Sequence, residues 1–308
     1  MSNGDALLQL LRELHARDYQ FTVVTPATHA RVLSRELTAA PTLRDIFGWN
    51  RPFAPAELEG CLRTILDRAD AVEQVDGALR SRVRVASLGG SLFLHSSYPT
   101  EQPDSVFFGP DTYRFTHFVR QHIPRLKKAK WVIDMGAGAG PGGIEFARLS
   151  PTSRVTLMDI NPAAVRFSAI NAAYAGVAVE TLQSSAIPDG ADLIIANPPY
   201  MMDESGRTYR DGGGLLGGSV ALEWASQALA SLAKGGTMLL YVGAAVMSGR
   251  APLLEALQAA CSKHGGALEC EELDPDVFGE ELEQPAYAQV ERIAAVGAVI
   301  TLAARNAA

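Results

Sequence analysis

Asn197-Pro198-Pro199-Tyr200 is the segment of this sequence best suited to carry out chemistry. Two consecutive prolines fix φ and forbid helix or ladder continuation, so the tetrapeptide reads as a rigid extended corner. It follows the apolar run Leu193 to Ala196, which reads as a buried strand. Rigidity at a strand end suits an in-line displacement, in which the attacking nitrogen must sit about 3–3.5 Å from the carbon it attacks. The Asn197 side chain can accept a hydrogen bond from a target NH2 and the Pro198 carbonyl a second, which aims the nitrogen lone pair. Tyr200 can stack on a planar target group. No strong base is required, because the proton can leave after the transfer. Taken alone, the tetrapeptide also fits a turn that merely ends a strand.

A second constellation lies upstream. The run WVIDMGAGAGPGG brings Asp134, Gly136, Gly138 and Gly140 into one strand-to-helix turn. Glycines there let the backbone turn sharply and pass close to a ligand, and the helix that follows offers its unpaired N–H groups. Asp159 closes the next strand, in VTLMDINP, where a carboxylate can accept both hydroxyls of a ribose. Gly138, Gly140 and Gly143 also satisfy the dinucleotide fingerprint, so NAD is one reading and a glycine turn for tight packing is another. Asp134 inside the turn would oppose a pyrophosphate and welcome a cationic ligand. With the 197–200 corner downstream, this favours S-adenosyl-L-methionine as cofactor and methyl transfer to nitrogen as the reaction.

The pair DMGAGAG and NPPY resembles the class I S-adenosylmethionine-dependent methyltransferases that modify amide or exocyclic nitrogens. Among these the chain looks most like the glutamine methyltransferases of peptide-chain release factors, and is similar to the amino methyltransferases of DNA and ribosomal RNA. The resemblance implies that Asp134, Gly136, Gly138, Gly140 and Asp159 hold the cofactor, while Asn197, Pro198, Pro199 and Tyr200 hold the target nitrogen, with Asn197 also expected to touch the cofactor. It extends to FFGPDT at 107–112, similar to the segment that closes over the cofactor, and to DINPAAV with Asn171-Ala172. It implies a seven-stranded Rossmann-like sheet with its last strand reversed, here around Ile293 to Leu302. The acid that usually meets the adenine from the third strand is replaced by Ser185, whose hydroxyl can still bond the base.

The elements that must position these residues divide the chain in two. Residues 105–308 alternate strands and helices, the pattern of an α/β parallel sheet. Strands are expected at Trp131 to Met135, Val155 to Met158, Leu193 to Ala196 and Met238 to Val242. Helices are expected at Gly143 to Leu149, Ala163 to Ala173 and Val220 to Leu232. Residues 1–104 read as helices followed by a hairpin, a helical or winged-helix-like module for substrate recognition, with the linker at Ser97 to Asp104. Leu7, Leu8, Leu10, Leu11 and Leu14 give a helical stripe, a second helix follows Pro26 and a third is expected over Ala54 to Val72. Arg80 to Val85 and Ser91 to His95 read as strands around Gly89-Gly90. Arg80, Arg82 and Arg84 would share one face of that strand, and Arg31 and Arg35 one face of a helix, as phosphate contacts or as an ordinary solvated face.

Composition bounds the rest. A chain of 308 residues, 47% hydrophobic and 20% charged, supports a sizeable core. Its net charge of −7 disfavours a surface that grips long nucleic acid everywhere. Cys61, Cys261 and Cys270 form neither a disulfide framework nor a metal-ligand pattern, and no metal is expected. No run is long enough to span a bilayer and the opening residues lack a signal-peptide pattern, so a cytoplasmic enzyme without membrane contact is expected. RTYRDGGGLLGG, at 207–218, reads as a lid with glycine hinges or as an ordinary loop. The acidic stretch Glu269 to Tyr287 reads equally as a substrate entrance or a solvated loop. Three acceptor classes stand: a protein glutamine, favoured by the motif resemblance; an RNA or DNA base; and a small amine or amide.

Overall fold

A computed structural model describes residues 2–36, 39–100, 102–203, 207 and 209–304. The chain opens with α1 (Asn3–His15), started by a capping box between Ser2 and Asp5 and burying Leu7, Leu10, Leu11 and Leu14. Next come α2 (Pro26–Leu33), α3 (Leu43–Phe47) and α4 (Gly60–Arg68). Two antiparallel hairpins close this region: β1 (Val72–Val75) with β2 (Ala78–Ser81), and β3 (Val83–Leu88) with β4 (Ser91–Ser96). The second turns through Gly89-Gly90, both at positive φ, the backbone that a two-residue hairpin requires.

Two expectations fail here. The single helix over Ala54 to Val72 is instead one 3-10 turn at Pro55–Glu57 and then α4, and Val72 belongs to β1. Leu58 and Glu59 adopt extended ψ values of 131° and 133° between the two pieces, which ends one helical path and starts another. The strand expected over Arg80 to Val85 is split as well. Ser81 bonds Val83 through both its backbone groups, and Arg82 falls between β2 and β3. The expected row of three arginines is therefore broken. Arg80 pairs with Glu73, Arg82 with Asp70 and Glu73, and Arg84 is 3% exposed with its Nε donating to the Ser96 carbonyl. Arg31 lies in α2, but Arg35 lies beyond its end.

After the segment 97–109 the chain enters α5 (Pro110–Leu126). The pattern then runs β5 (Trp131–Met135), α6 (Pro141–Leu149), β6 (Arg154–Asp159), α7 (Pro162–Ala175), β7 (Glu180–Gln183) and β8 (Ala191–Ala196). It ends with α8 (Ser219–Ser231), β9 (Leu232–Val246), α9 (Pro252–His264), β10 (Gly266–Asp274) and β11 (Arg292–Leu302). The seven strands lie in the order β10-β11-β9-β8-β5-β6-β7. Strands β5 to β9 run parallel to one another, and β11 is antiparallel to both β9 and β10. This is the Rossmann-like class I arrangement with one reversed strand. Strand order changes direction between β5 and β8, so the carboxyl ends of these strands open a crevice, the usual ligand position in open α/β sheets.

One polar staple ties the N-terminal hairpin to this crevice. Asn171 of α7, wholly buried, accepts the Leu94 N–H at 2.8 Å and donates to the carbonyls of Leu94 and Ala139. Among the described residues no helix is long and apolar enough to cross a membrane.

Candidate active site

Four neighbouring strand ends build the site. β7 leads to Ser184 and Ser185, β6 ends in Asp159, β5 runs into the 136–140 turn, and β8 runs into Asn197. Together they line a cavity of about 550 Å³. Gly136, Gly138, Asp159, Ser185, Asn197, Pro198, Pro199 and Tyr200 all border it. Asp134 and Gly140 do not.

Asp134 works from behind the turn. Its carboxyl is 1% exposed and its Oδ2 accepts the Gly143 N–H at 2.7 Å, in the first turn of α6. Burial lifts its pKa to about 7, against the pull of that hydrogen bond. Gly136, Gly138 and Gly140 hold φ values of 65°, 55° and 84°, the left-handed region that a side chain resists. A Cβ on Gly138 would meet nothing within 4 Å, so its Cα stands beside open space.

Asp159 is locked to the same turn. Its Oδ2 accepts the Gly138 N–H at 2.9 Å and its Oδ1 the Asn161 N–H at 2.9 Å. Burial raises its pKa, while the backbone N–H groups of Asn161, Gly138 and Ile160 oppose the rise. Each oxygen keeps a lone pair for a ligand hydroxyl. Ser185 sits one strand away with its hydroxyl free of partners among the described residues, and Ser184 donates to the Ala186 carbonyl.

At the 197–200 corner the Asn197 side chain and the Pro198 carbonyl have no hydrogen-bond partner among the described residues. Tyr200 is placed differently from a free stacking platform. It is 8% exposed, and its ring lies where a Cβ on Gly243 would come within 2.4 Å. It forms a wall of the cavity, 6.5 Å from Tyr241 and 6.2 Å from Phe278, centroid to centroid. Burial, then the nearby Asp111 charge, raises its pKa well above the ordinary phenol range.

The 107–112 segment borders the cavity through Phe107, Asp111 and Thr112, while other walls were not legible in the sequence. Phe115 enters from α5, and Glu223, Trp224 and Gln227 from α8. Of the acidic stretch Glu269 to Tyr287, Phe278 borders the cavity. Tyr209, Arg210 and Asp211 close one side. Part of the expected lid, residues 204–206 and 208, lies outside the described residues. The rest is fastened down: the Gly212 N–H donates to the Met201 carbonyl at 2.7 Å, and the Tyr209 hydroxyl donates to the Thr100 carbonyl. The Tyr209 ring stacks on Phe107 at 5.7 Å, and Arg207 and Arg210 both pair with Asp203.

The donor set fits S-adenosylmethionine. A carboxylate suited to ribose hydroxyls, a free serine toward an adenine edge and the apolar walls of Met135, Met158, Ile160 and Phe107 match its adenosyl half.

Comparison with known proteins agrees. The family model described as the methyltransferase small domain matches residues 105–262, slightly over half of the chain. A release factor glutamine methyltransferase of Deinococcus radiodurans is 26% identical over 245 residues, covering 74% of this chain and 85% of that protein. A ribosomal RNA small subunit methyltransferase C of Escherichia coli is 42% identical over 72 residues, 22% of this chain and 21% of that protein. Among solved structures, wild-type Trm5b from Pyrococcus abyssi superposes with a TM-score of 0.50 at 17% identity. It covers 78% of this chain and 67% of its own, a likeness of fold.

Proposed function

Given that the chain belongs to the methyltransferase small domain family and is an S-adenosylmethionine-dependent methyltransferase, we propose that it methylates the side-chain amide nitrogen of a protein glutamine. The observation that carries this reading is the unpartnered Asn197 carboxamide beside the free Pro198 carbonyl, both on a rigid corner at the cavity wall. Two acceptors at a fixed separation suit an NH2 group. They orient its lone pair, and the proline pair keeps them from relaxing onto each other or onto the sheet. The Tyr200 ring, packed on Gly243, offers the planar amide a fixed wall.

S-adenosylmethionine supplies a methyl carbon made electrophilic by the attached sulfonium. In this reading Gly136, Gly138, Asp159 and Ser185 touch it, and Asp134 and Gly140 shape the turn without contact. Residues 1–104 serve acceptor recognition, supported by Pro26 and Pro103 at the cavity rim.

An exocyclic amino group of an RNA base is the second reading, favoured by the ribosomal RNA methyltransferase match over 72 residues. Against it, Arg80 and Arg82 are committed to Glu73 and Asp70, Arg84 is buried, and the chain carries a net charge of −7. Incubation with methyl-labelled cofactor and a cell extract split into protein, nucleic-acid and small-molecule fractions distinguishes the acceptors. Label released by protease supports glutamine; label released by nuclease, or confined to small molecules, overturns it.

A further inference from the structure

We propose that the turn at 212–218 positions the acceptor corner, with Gly212 and Gly217 as the positioning residues. The assignment rests on the reading of Asn197 and Pro198 as the groups that hold the acceptor nitrogen. Three glycines close on Tyr200, the residue that ends the corner. A Cβ on Gly217 would lie 2.2 Å from the Tyr200 carbonyl oxygen, and one on Gly212 2.7 Å from the Tyr200 Cα. From β9, a Cβ on Gly243 would come within 2.4 Å of the Tyr200 ring. A Cβ on Gly212 would also strike the Gly217 carbonyl oxygen. Main chain therefore meets main chain at the corner, with no room for a side chain between.

The turn holds this contact at a conformational cost. Leu215 and Leu216 stand consecutively at φ 57° and 54°, in the left-handed region that L side chains resist, and Gly217 follows at φ 89°. A bulky residue there signals that the surroundings dictate the backbone, and such positions gather at functional sites. Both ends of the turn are tied down. The Gly212 N–H donates to the Met201 carbonyl at 2.7 Å and the Met201 N–H to the Arg210 carbonyl at 3.1 Å. At the start of α8, the Val220 N–H and the Ser219 hydroxyl both donate to the Gly212 carbonyl, at 3.1 and 3.0 Å. The corner needs such support. Its prolines fix φ at Pro198 and Pro199 but leave ψ at Pro199 and both torsions of Tyr200 open. The Asn197 and Pro198 acceptors have no partner among the described residues to steady them. Transfer needs the nitrogen about 3–3.5 Å from the methyl carbon, and an error of ~1 Å costs up to about a hundredfold in rate.

Single-turnover transfer from methyl-labelled S-adenosylmethionine, into whichever extract fraction the wild type labels, tests the assignment. Gly217→Ala is expected to slow transfer roughly ten- to a hundredfold at saturating cofactor, with calorimetric affinity for S-adenosylhomocysteine unchanged. Gly190→Ala is the matched control: its backbone stands at φ 91° at the other end of β8, and the added Cβ meets nothing within 4 Å. It is expected to keep wild-type transfer. Ser219→Ala, which loses only the hydroxyl bond to Gly212, should slow transfer with cofactor binding intact. Wild-type transfer by a folded Gly217→Ala protein overturns the proposal, and so does equal slowing by Gly190→Ala. If Gly217→Ala fails to fold, wild-type transfer by Ser219→Ala overturns it. Without an acceptor, the Met201 and Gly212 amides should exchange hydrogen faster in either turn variant; unchanged exchange is likewise fatal. Full transfer by Asn197→Ala would instead sink the reading of the corner.

Discussion

Asp134 accepts the Gly143 N–H at 2.7 Å across the turn between β5 and α6, so a buried carboxyl, rather than a ligand, satisfies the first turn of that helix. Its pKa is raised to about 7 from an ordinary 3.8. Between these values the folded chain keeps a proton that the unfolded chain has lost. Stability from this group is therefore greatest below about pH 4, falls as pH rises toward 7, and is flat above. The full fall is on the order of 4 kcal/mol, at about 1.4 kcal/mol for each tenfold in affinity for the proton. Asp134→Asn, which cannot titrate, should remove this slope from urea unfolding curves recorded between pH 4 and 7. Parallel profiles for variant and wild type would show that Asp134 titrates normally.

Asn197→Ala should leave cofactor affinity nearly intact and reduce kcat. Loss of an aiming hydrogen bond in the transition state costs roughly 3–4 kcal/mol, by analogy with lost oxyanion donors, or about two to three orders of magnitude. Titration of S-adenosylhomocysteine reads the first quantity and single-turnover methylation the second. Weakened cofactor binding with unchanged turnover at saturation would refute the aiming role.

Gly143→Ala should destabilise the fold. Its Cβ would lie 2.3 Å from Leu157 Cδ2 and 3.1 Å from Asp134 Cβ, both in the core. Overpacking of this kind costs about 1–3 kcal/mol. Gly60→Ala, where a Cβ meets nothing within 4 Å, is the matched control and should not lower Tm. Equal Tm values for the two variants would contradict the packing at the turn.

Tyr209→Phe removes the hydrogen bond to the Thr100 carbonyl and keeps the stack on Phe107. The expected result is faster amide hydrogen exchange over residues 209–218, with global Tm within about 2–4 °C of wild type, the shift that ~1 kcal/mol gives a chain of this class. Exchange unchanged from wild type would mean that the segment is held by Asp203 and the Met201 backbone alone.

The sequence by itself determined the catalytic half of the molecule: strand-helix alternation, the glycine turn, Asp159 at a strand end and the 197–200 corner. These are legible because they rest on local constraints. Apolar residues repeat at the period of their element, glycine marks positive φ, and paired prolines stop a strand wherever they occur. Even the reversed strand at Arg292–Leu302 came within reach through the motifs that accompany it. Local signals misled where a short connection intervened, as at Leu58-Glu59 in the expected third helix and at Ser81 between two hairpins.

Only the tertiary structure decided which of two acids borders the cavity. Asp134 and Asp111 are both buried acids in segments whose motifs resemble cofactor-contacting ones, yet only Asp111 borders the cavity. Asp134 is turned inward because Gly143, nine residues on, presents its amide from the start of α6. Asp111 reaches the cavity because the strand order brings β9, with Tyr241, and the corner after β8, with Tyr200, beside the first turn of α5. Those partners lie 130 and 89 positions away along the chain. Such contacts follow from how the sheet closes, and the hydrophobic period of a single element carries no record of them.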